Sequence, residues 1–284
     1  MRIALVCWRP VAAEILLGWV ERRGDEVVLV ETTKGRPSLR SEGWKSVLEQ
    51  VPFDVTSVVA RHPGDVAHVV EAAQPDLLVC FTYPHLLDER TIGAARVASL
   101  NVHPGRLPEY RGPNPQWAVY RGDAEIDVTV HRIAPGFDTG NVMAVTPVSV
   151  DGTLSPARLR EIFASVIPDT LDAAVARAVA GEPGEPQPEG DFDVLPLFTP
   201  ADGELDWDLT PRDLMCRWTA CDFGGVAITG PTPAGRRRVS AMSVVSHAAS
   251  DQEPGTFLSS LGDDAIVAVR DGIVLVELAE PNPA

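Results

Sequence analysis

Short runs of consecutive apolar residues alternate with helix-compatible segments over the first hundred residues, and this alternation restricts the possible folds most. The runs are RIALVC, EVVLVET, DVTSVV, DLLVCF and SLNVH, each short enough for one strand. A strand that is apolar on both faces is typical of a parallel sheet covered by helices on both sides. The pattern therefore predicts an α/β fold with a Rossmann-like, mainly parallel sheet, in which ligands bind at the C-terminal strand ends.

The segment PARLREIFASVIPDTLDAAVARAVAG predicts a long helix, which we expect Pro168 to interrupt. The composition of the sequence changes after this segment. The stretch EPGEPQPEGDFD is rich in proline and acidic residues and has no periodicity, which is typical of a linker. Short strand-like runs and turns follow, and they predict a small β-barrel-like (OB-like) domain. We therefore predict a first domain over 1–182, a linker over 183–203 and a β-rich domain over 204–284.

Composition and the first turn argue against several classes of ligand. The net charge of −16 and the pI near 4.7 disfavour a protein that binds nucleic acid through a basic face. The first strand-to-helix turn, CWRP, lacks the glycines that dinucleotide and P-loop sites need, so we expect neither NAD nor ATP. The four cysteines lack metal-ligand spacing, and we expect no metal. With no membrane-length apolar stretch and no signal-peptide pattern, we expect a cytoplasmic protein without a membrane partner.

Asn101, His103 and Asp138 are the candidate catalytic residues. Asn101 and His103 are two residues apart on a predicted strand and project from the same face, while Asp138 lies in the turn GFDTG between two later strands. These three groups suit acyl transfer. The amide donates to a developing oxyanion, the imidazole moves a proton, and the carboxylate orients the imidazole or accepts a proton through water. No Ser or Cys nucleophile lies beside them, which indicates direct transfer. Loop capping, an Asx turn and a metal site with His131 remain alternatives.

Three segments together carry a family resemblance. "LNVHPGRLPEYRGPNP", "VTVHRIAPGFDTG" and "LDWDLTPRDLMCRW" occur in this order, and over roughly residues 1 to 230 the chain resembles the folate-dependent formyltransferases. The resemblance implies an N-formyltransferase that takes the formyl group of 10-formyltetrahydrofolate, with Asn101, His103 and Asp138 as catalytic residues. It also implies a pterin pocket formed by Pro84, His85, Leu86 and Leu87 and by the backbone of Ala134, Pro135, Gly136 and Phe137. For Leu86 and Leu87, core packing at a helix start is the alternative.

The sequence departs from the family pattern at two positions, of which Arg106 bears on the acceptor and Asp127 on the local turn geometry. Arg106 stands where an apolar residue is common, and Asp127 stands where glycine is usual. Arg106 either meets a phosphate or carboxylate of the acceptor or points into solvent. The acceptor-binding residues that the resemblance suggests are Trp8, Arg9, Arg106, Tyr110 and Arg111.

The acceptor class follows from charge. Residues 201–284 hold 6 Arg and no Lys against 9 Asp and 4 Glu, which is a poor surface for tRNA. We therefore expect the amine of a small molecule, such as an amino sugar nucleotide or a siderophore or peptide precursor. Methionyl-tRNA is the alternative acceptor, which the basic residues Lys34, Arg36, Arg40 and Lys45 favour. A formyltetrahydrofolate hydrolase and a non-catalytic folate binder are further alternatives, and the oligomeric state is left open.

Overall fold

The computed structural model describes residues 1–35, 43–113, 116–150 and 154–279. The larger of its two sheets has seven strands: β1 (Arg2–Cys7), β2 (Glu26–Thr33), β3 (Ser57–Ala60), β4 (Leu77–Phe81), β5 (Ala98–His103), β6 (Glu125–Arg132) and β7 (Val142–Ser149). Their order is β3-β2-β1-β4-β5-β6-β7, with parallel pairing from β3 to β5 and an antiparallel β6 beside β5. The mainly parallel sheet predicted from the apolar runs is confirmed.

The order of the strands creates a switch point beside β1. The chain moves from β1 through β2 to β3, then returns to the opposite side of β1 with β4. Loops that leave the C-terminal ends of strands at such a point diverge and open a crevice. The loops after β1, β4 and β5 all leave this edge, because Cys7 pairs with Phe81 and Phe81 pairs with Val102.

Within the described ranges, six α-helices connect or follow these strands: α1 (Pro10–Arg23), α2 (Gly43–Gln50), α3 (Ala67–Ala73), α4 (Glu89–Ile92), α5 (Trp117–Arg121) and α6 (Pro156–Val179). The α4 helix is shorter than the sequence segment LLDERTIGAARVA predicted. It begins where the Asp88 carboxylate accepts a hydrogen bond from the Thr91 N–H, and it ends at Gly93. The predicted interruption at Pro168 is wrong, since α6 runs through it. The neighbouring Ile167 and Leu171 are fully buried, and their packing keeps the helix continuous.

The second sheet is antiparallel throughout and fits the predicted small barrel-like domain. Its strands are β8 (Thr229–Thr232), β9 (Gly235–Ser246), β10 (Phe257–Leu261), β11 (Asp264–Val269) and β12 (Gly272–Ala279), in the order β10-β11-β12-β9-β8. A seventh helix, α7 (Pro211–Gly224), was not predicted. Its Leu214 and Trp218 join one buried apolar cluster with sheet residues such as Val267.

The chain forms two compact units that alternate along the sequence. One consists of Met1–Pro115, Asp127–Pro147 and Ile162–Val194, and the other of Gln116–Ile126, Val148–Glu161 and Leu195–Ala284. The predicted domain boundaries at residues 182 and 204 stay a prediction. Within the described ranges, no helix is both long and apolar enough to cross a membrane.

Candidate active site

Asn101 and His103 lie at the C-terminal end of β5, one strand away from the switch point between β1 and β4. The His103 side chain is buried, and its Nε2–H donates a 2.7 Å hydrogen bond to the carbonyl oxygen of Tyr110. Because a carbonyl can only accept, Nε2 holds the proton of the neutral ring and Nδ1 keeps its lone pair. That Nδ1 lies 3.5 Å from Oδ2 of Asp138. The fold thus turns the basic nitrogen of His103 towards a carboxylate.

Asp138 reaches this position from the turn between β6 and β7, where its backbone has a positive φ of 52°. The Gly112 N–H donates to Oδ2 over 2.8 Å, and Nδ2 of Asn101 donates to Oδ1 over 3.2 Å. Only 12% of the side chain is exposed. The structure therefore brings the three candidate catalytic residues together, although they come from two separate parts of the sequence.

The electrostatics of the pair keep the carboxyl ionised and the imidazole neutral. Burial would raise the pKa of Asp138, but the His103 and His131 rings and the Gly112 amide outweigh it and hold that pKa below its usual range. Burial lowers the pKa of His103, against the attraction of Asp138, which raises it. At neutral pH this site holds a carboxylate next to an uncharged base.

His131 is a third polar partner, which the sequence suggested only as a metal ligand. Its Nδ1–H donates to the Arg132 carbonyl over 2.8 Å, which leaves Nε2 to accept from Nδ2 of Asn101 over 3.0 Å. Nε2 also lies 3.4 Å from Oδ1 of Asp138. His131 thereby fixes the amide plane of Asn101. Among the described residues, no group of three or more His, Cys, Asp or Glu side chains could hold a metal ion.

The two segments predicted to hold the pterin meet on one apolar cluster. Leu87 is buried in this cluster, and Ile133, which directly precedes Ala134, packs against it. Leu86 is 40% exposed, so it is not a core residue. Pro84 and His85 are half-buried in the turn after β4, and Ala134, Gly136 and Phe137 are half-buried in the turn after β6, with Pro135 exposed. Apolar side chains beside a turn with accessible main-chain groups fit a flat heterocycle such as a pterin.

The residues predicted to bind the acceptor take different positions. Trp8 is buried, and Arg9 stacks on its ring at 5.5 Å while the Arg9 N–H donates to Thr82. Tyr110 is buried, and its carbonyl orients His103. Arg111 donates two hydrogen bonds to Oε1 of Gln187.

From the sequence, Arg106 was expected either to meet an anionic group of the acceptor or to point into solvent. In the structure it forms an ion pair within the protein. Its Nε donates to Oδ2 of Asp127 over 3.0 Å, and 45% of the Arg106 side chain remains exposed. Arg106 and Asp127 are the two departures from the family pattern, and they form one ion pair. The paired residues hold the loop after β5 against β6.

Glu31 is a buried acid near the turn before Pro84, and the sequence did not single it out. Its Oε1 accepts a 2.7 Å hydrogen bond from the Tyr83 hydroxyl, and its Oε2 is buried without a hydrogen-bond partner. Burial raises the pKa of Glu31 from 4.5 to about 7, with a further increase from the charge of Asp88 and a partly opposing effect of the Tyr83 hydrogen bond. The folded protein therefore binds a proton here that the unfolded chain releases at a lower pH.

Replacing Glu31 is expected to change how stability depends on pH. In the wild type, the free energy of unfolding should fall by up to about 3 kcal/mol as pH rises from about 4.5 to about 7, because the folded state holds the proton more tightly. Glu31→Gln should remove this decrease, as measured by urea unfolding at a series of pH values. Glu26→Gln, on the exposed start of the same strand, is the matched control and should keep the decrease. An unchanged pH profile in Glu31→Gln would contradict the assignment.

Comparisons with known proteins show the family of this chain. The sequence profile of a family described as formyl transferase matches residues 11–175, more than half of the chain. Methionyl-tRNA formyltransferase from Desulfotalea psychrophila is 28% identical over 275 residues, which cover 91% of this chain and 81% of that protein.

Two solved structures share the fold. HypX from Aquifex aeolicus, in complex with tetrahydrofolic acid, superposes with a TM-score of 0.69 at 16% identity; the match covers 97% of this chain but 43% of HypX. An N-formyltransferase from Helicobacter canadensis, in complex with folinic acid and dTDP-3-aminofucose, gives a TM-score of 0.64 at 12% identity and covers 98% and 99% of the two chains. The chain belongs to the formyl transferase family and is a folate-dependent formyltransferase.

Proposed function

We propose that this enzyme transfers the formyl group of 10-formyltetrahydrofolate to the amine of a small molecule. An amino sugar nucleotide, a siderophore or peptide precursor or a related metabolite is the acceptor class. Asn101, His103 and Asp138 act as the catalytic groups. The observation that supports the proposal most is the meeting of these three side chains at the C-terminal end of β5, at the edge of the sheet where the loops after β1 and β4 also leave.

The proposed roles follow from the hydrogen bonds of each group. The amine nitrogen attacks the formyl carbon of the bound donor, and the bond from that carbon to the folate nitrogen breaks. The proton that the amine loses ends on the departing tetrahydrofolate. The Asn101 amide exchanges its 3.2 Å hydrogen bond to Oδ1 of Asp138 for one to the oxygen of the formyl carbonyl as negative charge develops, a contribution typically worth about 10² to 10³ in rate. His103 accepts the proton that the amine loses, because its Nδ1 is unprotonated and its ring is held by Tyr110. Asp138 stabilises the resulting imidazolium from 3.5 Å.

The charges of the β-rich unit support a small acceptor over tRNA. Four arginines of this unit are paired with carboxylates: Arg236 with Glu204, Arg237 with Asp263, Arg270 with Asp208 and Arg160 with Asp222. Each pair would have to open before its guanidinium could neutralise a phosphate. In the loop predicted to be basic, Lys34 and Lys45 lie near the Trp44 ring, at 5.4 and 5.8 Å, and Arg36 and Arg40 lie outside the described residues.

Initiator methionyl-tRNA is the second candidate acceptor, and the sequence relatives favour it. The Desulfotalea protein is named a methionyl-tRNA formyltransferase and matches nearly the whole chain. The structural relative that binds dTDP-3-aminofucose also matches nearly the whole chain, at lower identity. A direct comparison of acceptors therefore decides between the two.

The test incubates the protein with 10-formyltetrahydrofolate alone, with a panel of nucleotide-linked amino sugars and hydroxyornithine-type amines, and with initiator methionyl-tRNA. Release of tetrahydrofolate and the mass of the acceptor are followed together. Turnover that requires a small amine and increases its mass by one formyl group supports the proposal. Turnover without any amine would indicate a hydrolase, and transfer to tRNA alone would overturn the acceptor class. Folate binding without turnover would indicate a binding protein.

Arg106 offers a more specific expectation about an anionic acceptor. In an Asp127→Asn background, which leaves no unpaired buried carboxylate, Arg106→Met should raise the acceptor KM by at least about tenfold relative to Asp127→Asn alone, as expected for a lost charge-assisted hydrogen bond, while the KM for the folate donor changes little. Asp127→Asn is the matched control, because it removes the carboxylate of the ion pair and keeps the guanidinium. A Met variant with an unchanged acceptor KM would limit Arg106 to its role in the loop.

A further inference from the structure

Gln187 lies in the proline- and acid-rich segment after α6, far along the chain from the catalytic residues. The segment is held against the start of β7, because Val142 and Glu185 exchange two main-chain hydrogen bonds of 2.8 Å each. Arg132 strengthens this attachment by donating to the carbonyls of Pro183 and Glu182. The backbone around Gln187 is therefore fixed independently of its side chain.

The side-chain amide of Gln187 forms hydrogen bonds with two segments of the candidate active site. Its Nε2 donates to the carbonyl of Asp138 over 2.7 Å and to that of Gly140 over 2.8 Å, and its Oε1 accepts from Nε and Nη2 of Arg111 over 3.0 and 2.6 Å. Two carbonyls require donors and a guanidinium requires an acceptor, so the amide has one satisfactory orientation. No other common side chain of this length supplies both functions.

These bonds connect the two segments on which the geometry of His103 and Asp138 depends. The turn that contains Asp138 has a positive φ at that residue, and the Gln187 amide bridges the carbonyls on either side of Thr139. The loop Tyr110–Gly112 orients the His103 ring through the Tyr110 carbonyl and donates the Gly112 N–H to Asp138. Arg111 lies between these two contacts and is bound to Gln187.

We propose that Gln187 is a positioning residue that sets the distance and orientation of Asp138 relative to His103. The inference rests on the catalytic roles proposed for those two residues. Gln187 does not need to touch either substrate. Its effect is therefore expected in kcat and in the titration of His103, with little change in the KM of donor or acceptor.

The test compares Gln187→Met with Gln50→Met. Gln50 is a matched control, since its Nε2 also donates to two main-chain carbonyls, those of Pro10 and Ser46, on the exposed side of α2. Gln187→Met should lower kcat at least about tenfold, with each KM within about twofold of the wild type. Gln50→Met should leave kcat unchanged. Equal kcat values for the wild type and Gln187→Met would overturn the proposal.

A second readout needs no substrate. NMR titration of the His103 ring in the folate-free protein should show its pKa falling by at least about half a unit in Gln187→Met, because a displaced Asp138 attracts the imidazolium less. The ring is assigned by its absence in His103→Asn. An unchanged His103 titration in Gln187→Met would overturn the proposal even if kcat falls.

A third variant keeps the test decisive if Gln187→Met does not fold. Gln187→Ala removes the bonds to Arg111 and to both carbonyls without placing a bulky or charged group against them, so it should fold and still lose kcat at least about tenfold. Wild-type kcat in Gln187→Ala would also overturn the inference. Different results would refute the proposed function: a wild-type protein that formylates no small amine, or His103→Ala and Asp138→Asn variants that remain active.

Discussion

His103→Ala and Asp138→Asn are each expected to lower turnover by at least about a hundredfold, because positioned proton transfer contributes about 10² to 10⁴ in rate. In His103→Ala, the nitrogen that accepts the amine proton is missing. In Asp138→Asn, the neutral amide no longer stabilises an imidazolium 3.5 Å away. Steady-state assays with 10-formyltetrahydrofolate and the identified amine measure both effects.

Both variants are expected to fold. Asn tolerates the positive φ of position 138 better than Ala does, so it tests the charge without straining the turn. His68→Ala, on the exposed face of α3, and Asp263→Asn, in the turn between β10 and β11, are matched controls and should keep full activity. Turnover near the wild-type value in either catalytic variant would refute the proposed mechanism.

The pH dependence of the wild-type enzyme gives a further check on the same pair. Burial lowers the pKa of His103 below its ordinary value of 6.5, so the ring is the required neutral base at neutral pH. Turnover should therefore be constant from neutral pH down to about 6.5 and should decrease below it as the ring takes up a proton. The decrease should be absent from the residual activity of His103→Ala.

Gly140→Ala is expected to affect both stability and turnover strongly. A Cβ at this position would overlap the carbonyl oxygen of Arg132 and lie 2.7 Å from its carbonyl carbon, and both atoms belong to backbone that cannot rotate away. The Arg132 N–H also donates to the Asn141 carbonyl, so relieving the overlap requires the two backbone segments to move apart and this hydrogen bond to stretch. We expect a loss of about 1–3 kcal/mol in the free energy of unfolding and at least about a tenfold loss in kcat as the Asp138 turn shifts.

Gly18→Ala is the matched control for this substitution. Gly18 lies inside α1, and a Cβ there would meet no atom within 4 Å. The exchange should therefore leave kcat unchanged and stabilise the protein by about 0.5–1 kcal/mol, as usual for Gly→Ala in a helix. Thermal unfolding and steady-state kinetics of the two variants show the contrast. If Gly140→Ala had a wild-type Tm and kcat, the turn would be more adaptable than its contacts indicate.

The parallel sheet was predictable because burial on both faces leaves continuous apolar runs in the sequence. Asn101 and His103 were placed on one face by their spacing alone. The helix α7 was missed although its signals are present: Thr210 caps it through the Asp213 N–H, Pro211 occupies the first turn and Gly225 ends it. Thr, Pro and Gly, the residue types that mark the ends of this helix, are also common in the turns of β-rich domains, so the composition of the region favoured strands.

The contacts that organise the candidate site were not predictable from local patterns. Gln187 lies 49 residues from Asp138 in a segment without periodicity, and only the folded chain brings its amide to that turn. The bond between Asn101 and His131 likewise depends on the register between β5 and β6. Pro168 failed as a breaker because the burial of its neighbours in α6 outweighs one lost helical hydrogen bond.

The ion pair between Arg106 and Asp127 has a practical consequence for redesigning acceptor choice. Because the two partners lie in different segments, a chimera that exchanges only the loop after β5 would leave Asp127, which is buried, without the guanidinium it binds. An unpaired buried carboxylate typically costs several kcal/mol. Loop grafts between relatives should therefore transfer positions 106 and 127 together, as one exchangeable module.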